Sequence, residues 1–159
     1  MNAAATLIAG ALALAAGAAL PPAAAQHHGI PQHTAAPDAR EPVGFPAALK
    51  AHTLANMRDH LLALAQIQQA LADGMYERAG QLAEQRLGMS SLTAHGAHEA
   101  SKFMPQGMQD TGTSMHRSAS RFAVEVQNSS ASGDLGPALS ALARTTQACV
   151  ACHAGYRLE

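Results

Sequence analysis

The 159-residue chain has no tryptophan, two tyrosines and three phenylalanines. Aromatic rings ordinarily supply the bulkiest core filling, whereas here the 48% apolar fraction is mostly Ala and Leu. A helical protein so poor in rings leaves interior space for a bulky group that is not one of its own side chains. An excess of either charge is missing too. Ten Lys+Arg stand against eleven Asp+Glu, a formal net charge of -1, which excludes the dense basic surface with which a general nucleic-acid binder contacts phosphates. No stretch alternates as a strand does, and no internal repeat of fixed period is present. Paired carboxylates, a phosphate-binding loop and a nucleophile beside its base are all lacking at meaningful spacing, so the chain is not expected to be an enzyme.

The first 39 residues contain no Lys or Arg. After Asn2 an unbroken run of Ala, Leu, Gly, Ile and Thr extends to Leu20, followed by Pro21-Pro22 and the small-residue site Ala23-Ala24-Ala25. This predicts a secretory signal peptide over residues 1–25, cleaved before Gln26. An Ala-dominated run is a poor membrane span, and no span is expected after cleavage. Residues 26–46, with prolines at 31, 37, 42 and 46 and with His27, His28 and His33, read as a flexible Pro/His-rich leader. The domain proper is assigned to residues 47–159.

Within it, Leu54, Met57, Leu61, Leu64 and Leu71, with Gln68 filling one slot, recur at steps of three and four from Ala47 to Ala72, the stripe of a bundle helix closed by Gly74. Met75 to Leu87 predicts a second helix and Thr113 to Gln127 a third, ended by the break Asn128 to Gly133. The last opens at Asp134 as N-cap with Pro137 in its first turn, and places Leu135, Leu139, Leu142, Thr146, Cys149, Cys152 and Tyr156 on one face. The fold expected is all-α, an antiparallel four-helix bundle, in which cofactor sites lie between facing helices. The link from Gly88 to Gly112 is long for such a bundle.

The two cysteines lie in Cys149-Val150-Ala151-Cys152-His153, the C-x-x-C-H pattern of covalent haem c attachment. Two thiols add to the two vinyl groups of one porphyrin, and the adjacent imidazole reaches the iron from the same helical turn. A thioredoxin-like dithiol would follow a strand and open a helix, whereas this pair ends one. A structural zinc site would want more thiolates or imidazoles at ligand spacing, and a plain disulfide is the other reading open to two cysteines in an oxidising compartment.

Gly133 to Arg157, with 14 residues from Leu135 to Cys149 and the ending C-x-x-C-H-x-x-Y-R, resembles the class II c-type cytochromes, the cytochrome c′ group. The resemblance is specific over these residues and weaker elsewhere. It implies an exported four-helix bundle with haem near the C-terminus of the last helix, His153 as the proximal iron ligand and Arg157 one turn beyond. Tyr156 packs on the haem in this reading, and Arg157 pairs with a propionate, shapes the proximal pocket or is simply solvated. Counted back from the Gly74 turn, the family's distal position falls at Arg58 or Met57, of which only Met57 lies on the apolar stripe. His60, at the flank of that stripe and expected to be partly exposed, is the other candidate. A homodimer through the first two helices is implied by the same resemblance.

A protein ligand at the sixth iron position favours electron transfer, and an empty one leaves iron free to bind a gas. The leading expectation is therefore a periplasmic one-electron carrier serving redox partner proteins. One alternative is a five-coordinate haem protein that binds nitric oxide or carbon monoxide. Another arises because Met89, His95, His98, Met104, Met108, Met115 and His116 crowd the connector and the start of the third helix: such soft and imidazole donors suit copper handling.

Overall fold

A computed structural model describes residues 37–159. The signal peptide assigned to 1–25, and His27, His28 and His33, lie outside the described residues. Among the described residues the chain is mostly helical, the all-α class expected. A short strand β1 (Glu41–Val43) precedes α1 (Ala47–Ala72) and α2 (Tyr76–Arg86); a 3-10 turn (Met89–Ser91) and the short α3 (Ala97–Ser101) follow. Two long helices, α4 (Gln106–Ser132) and α5 (Gly136–Gly155), lead to the terminal strand β2 (Tyr156–Leu158). The long helices pack successively, α1 on α2, α2 on α4, and α4 most extensively on α5. No helix among the described residues is long and apolar enough to cross a membrane.

Helix ends follow the chemistry of their caps. Gly74 and Gly133 adopt φ of +70° and +75°, the left-handed backbone that ends a helix at little cost only in glycine. Asp134 is not itself the N-cap of α5; its Oδ1 accepts the Gly136 N–H at 2.8 Å from one residue earlier than that position. The third predicted helix is longer at both ends. It starts at Gln106 behind Pro105, and it runs through the Asn128–Ser132 stretch expected to be a turn. The buried Ser129 hydroxyl donates to the Glu125 carbonyl at 2.9 Å, so this serine is satisfied within the helix.

The buried faces are rotated from the leucine stripes. On α1 the residues turned inward are Thr53, His60, Ala63, Ile67 and Ala70, while Leu54, Leu61 and Leu62 are 40%, 68% and 53% exposed. Met57, Leu64 and Leu71 sit between the two faces, partly covered. On α5 the inward set is Ala138, Ala141, Leu142, Thr145 and Ala148, and Leu139 faces out. Small side chains face inward because the backbones come close: a Cβ added at Gly80 of α2 would lie 3.1 Å from Val126 Cγ1 and 3.2 Å from the Ala123 carbonyl of α4.

Part of the segment assigned to the leader is packed. β1 pairs in parallel with β2, Val43 opposite Leu158, and the Glu159 N–H donates to the Val43 carbonyl at 3.0 Å. Val43 and Phe45 are buried with Ala100 and Met108, and Cys152 and Tyr156 pack against them. This cluster closes over the end of α5 and fixes the surroundings of the C-x-x-C-H turn.

Candidate functional site

Cys149 and Cys152, three residues apart on α5, are neighbours on one helical face. Both are half-buried and unpaired. Burial pushes both thiols above their ordinary pKa, that of Cys152 further because Cys149 adjoins it. Both open on a cavity of about 560 Å³, within the range that holds a bulky organic ligand. His153, Tyr156 and Arg157 border the same cavity, and Thr53, Leu54, Met57 and His60 of α1 line it as well. The six residues assigned to the cofactor and its iron therefore surround one space: Met57, Cys149, Cys152, His153, Tyr156 and Arg157.

The walls add residues outside the set assigned to the cofactor, although Met104 and Met108, with Met89, were also open to a reading as cover for the haem edge. Met104, Met108, Met115 and His116 line the cavity; their crowding was the visible signal, read there as metal handling. Arg40 borders it too, hidden from a sequence reading by its place in the proline-rich segment. Its guanidinium grips Asp38, with Nη2 to Oδ2 at 2.7 Å, and holds that carboxyl well below its usual range, at about 2. Arg40 Nη1 also reaches the His153 carbonyl at 3.5 Å. Arg157 pairs with Glu159 at 2.6 Å and lies 3.9 Å from Asp38, yet its Nε is buried without a hydrogen-bond partner. Two guanidiniums thus border the cavity, one with unspent donor capacity, an arrangement suited to carboxylate groups on a ligand. Tyr156 differs from its assignment as a cofactor-packing residue alone: it starts β2 and belongs to the Val43–Phe45 cluster.

No family model matches the chain, and no curated protein or solved structure matches it. The chemistry of the cavity is read from its own residues.

His60 is not at the exposed flank expected of it. It is 6% exposed, and its Nε2 is buried with no partner. Burial first, then the neighbouring His95 and His116, lowers its pKa from 6.5 to about 4. Between these two values the unfolded chain binds a proton that the folded chain does not, so stability rises with pH across this window. Stability gained from the neutral ring is complete above about pH 6.5 and is lost as pH falls toward 4. With metal chelated, urea unfolding should lose up to about 3 kcal/mol from this residue between pH 7 and pH 4. His60→Gln should flatten that slope, and an equal slope in the variant would refute the assignment.

Proposed function

We propose that this chain is an exported c-type cytochrome of the class II kind, a four-helix bundle of α1, α2, α4 and α5 that carries one electron on a single haem c. The observation that carries the reading is the placement of both C-x-x-C-H thiols on one mostly apolar cavity that a methionine and a buried imidazole of α1 also line. The residues suit a porphyrin. Cys149 and Cys152 would hold it through two thioethers, and His153 would be the proximal ligand. Met57 would stand on the distal side, with Arg40 and Arg157 available for the propionates. When bound, the haem supplies a one-electron ferric/ferrous couple.

The chain's own contribution is orientation and exclusion of water. Met104, Met108 and Met115 would offer polarizable, adaptable thioethers to a porphyrin, and Leu54 and Leu92 add to the apolar part of the wall. Packed helices on both sides limit rearrangement when the charge changes, which favours rapid electron exchange with redox partner proteins. A periplasmic location accords with the signal peptide and the attachment motif. Pairing of two copies over the exposed Leu61 and Leu62 of α1 would cover apolar surface, and sedimentation velocity reports whether the mass doubles.

The deciding experiment is the absorption spectrum of reduced protein matured in a host that attaches haem c. Sharp, split low-spin bands support the carrier with a distal protein ligand; a broad high-spin spectrum that shifts with carbon monoxide supports gas binding instead. Met57→Ala is expected to lower the reduction potential on the order of 100 mV, roughly fiftyfold in the ferrous/ferric ratio for a one-electron couple, and to open the iron to carbon monoxide. An unchanged potential with no carbon monoxide shift would remove Met57 from the iron.

A further inference from the structure

His60 on α1, His95 in the segment before α3 and His116 on α4 come from three separate elements and meet in one cluster. Their ring centroids lie 4.7 Å apart for His60 and His95, 5.6 Å for His95 and His116, and 6.2 Å for His60 and His116. Three imidazoles bound to one tetrahedral ion at metal–nitrogen distances of about 2.0 Å place their centroids roughly 5 Å apart. Among the described residues no three His, Cys, Asp or Glu side chains already stand in closed ligating geometry. Here the widest pair has about 1 Å to close, within reach of small side-chain rotations.

Hydrogen bonds on the far side of two rings decide which nitrogen is free. His116 Nδ1 is 2.7 Å from the Leu87 carbonyl oxygen, which can only accept, so Nδ1 carries the proton and Nε2 keeps its lone pair. Ser91 Oγ donates its hydrogen to the Gly88 carbonyl at 2.7 Å and can therefore only accept from His95 Nδ1, 3.3 Å away. That proton on Nδ1 leaves the His95 Nε2 lone pair free as well. The segment carrying His95 is tied to α1, since the Asn56 amide donates to the His95 carbonyl at 3.1 Å, one turn before His60. His60 brings the third nitrogen, a buried Nε2 with no partner. An unsatisfied buried polar atom ordinarily costs about 1–3 kcal/mol. Imidazoles whose outer N–H groups are held by a carbonyl and a hydroxyl match the outer shell of metal-ligating histidines.

We propose that His60, His95 and His116 form a binding site for one divalent transition ion of the zinc–copper class, separate from the C-x-x-C-H turn. Three neutral nitrogens without carboxylate or thiolate suit zinc and copper, and copper(II) is held the more tightly of the two. His60 and His116 also line the cavity, so the site adjoins that space while His95 stands outside its lining. Of the methionine and histidine donors crowded in the connector, His98 is not part of this site: its side chain is 88% exposed and lies 4.0 Å from Glu99.

The test uses the full mature haem-loaded protein, stripped with chelator and then titrated separately with copper(II) and zinc(II), with bound metal counted after desalting. One ion per chain is expected. His60→Gln, His95→Gln and His116→Gln should each weaken uptake at least tenfold, and Ser91→Ala, which removes only the outer partner of His95, by roughly tenfold. His98→Ala and the combined His27→Ala, His28→Ala and His33→Ala variant should keep full uptake. Pulsed electron paramagnetic resonance of the copper-loaded wild type should resolve three imidazole couplings, a readout that does not depend on any variant folding. Metal lost on desalting, uptake that disappears with the leader histidines, or fewer than three imidazoles would overturn the site. The ion and the haem are read separately: a His60→Gln variant whose reduced spectrum changes while ion uptake does not would make His60 an iron ligand and end the proposal. A colourless chain that still takes up one ion would end the cytochrome reading alone.

Discussion

Replacing Cys149 and Cys152 together with alanine is expected to yield an exported chain whose mass equals that of its bare polypeptide and which shows no absorption in the haem region after denaturation and washing. The loss should be complete, because each thioether needs its own sulfur and the chain offers no third cysteine. Either single variant should keep a porphyrin held by one bond. His153→Ala should keep both covalent bonds but change the spin state, since only the proximal ligand is removed. Arg157→Ala should retain covalent haem, because this residue borders the cavity without supplying a thiol. Both thiols of the unloaded chain are pushed upward by burial, so they are protonated at neutral pH and alkylate slowly until the chain unfolds. Intact mass spectrometry of wild type and the double variant, matured side by side, checks the expectation. Equal masses for the two, beyond the cysteine-to-alanine difference itself, would remove the haem.

Much of this architecture was legible in the residues because helix punctuation is local. Gly74, Gly88, Gly133 and Pro137 marked helix ends within a few positions, and the C-x-x-C-H spacing placed two thiols and an imidazole on one turn. The buried faces were less legible. Weighting leucine over alanine is a sound rule where interhelical gaps are wide, but here the close approach at Gly80 demands small side chains at the contact. The inward face of α1 is likewise built without leucine, from Thr53, His60, Ala63, Ile67 and Ala70, and Leu61 is left outside. The start of α4 was missed for a related reason, since Gly107, Thr111 and Gly112 depress local helix propensity while packing supports the helix regardless. The meeting of His60 with His95 and His116 could not be read at all. Their separations of 35 and 21 residues carry no periodic signal, and only the path of the long connector joins them. Arg40 and the Val43–Phe45 contact were hidden because a proline-rich composition resembles a tail even when its two large apolar residues have a place to dock.

A core of alanines has few large side chains to lose, so the one buried ring in it should dominate. Phe122 on α4 is fully buried in the main core with Ile67, Leu87 and Val126, and the other phenylalanines, Phe45 and Phe103, lie elsewhere, their ring centroids 6.1 Å apart and their planes tilted by 59°. Phe122→Ala is expected to destabilise the protein by about 3–5 kcal/mol, combining lost transfer free energy with the cavity left behind. The surrounding alanines cannot extend into that space, which places the cost toward the upper end. Such a loss is a large fraction of the roughly 5–15 kcal/mol that holds a domain together. Phe103→Ala, at a side chain 43% exposed, should cost far less. Because Phe122 does not border the cavity, the part of the variant that remains folded should keep the wild-type reduced spectrum. Urea unfolding followed in parallel by far-ultraviolet dichroism and by haem absorbance separates the two effects. A shift of less than 1 kcal/mol would show that the bound porphyrin, rather than this ring, organises the centre of the molecule.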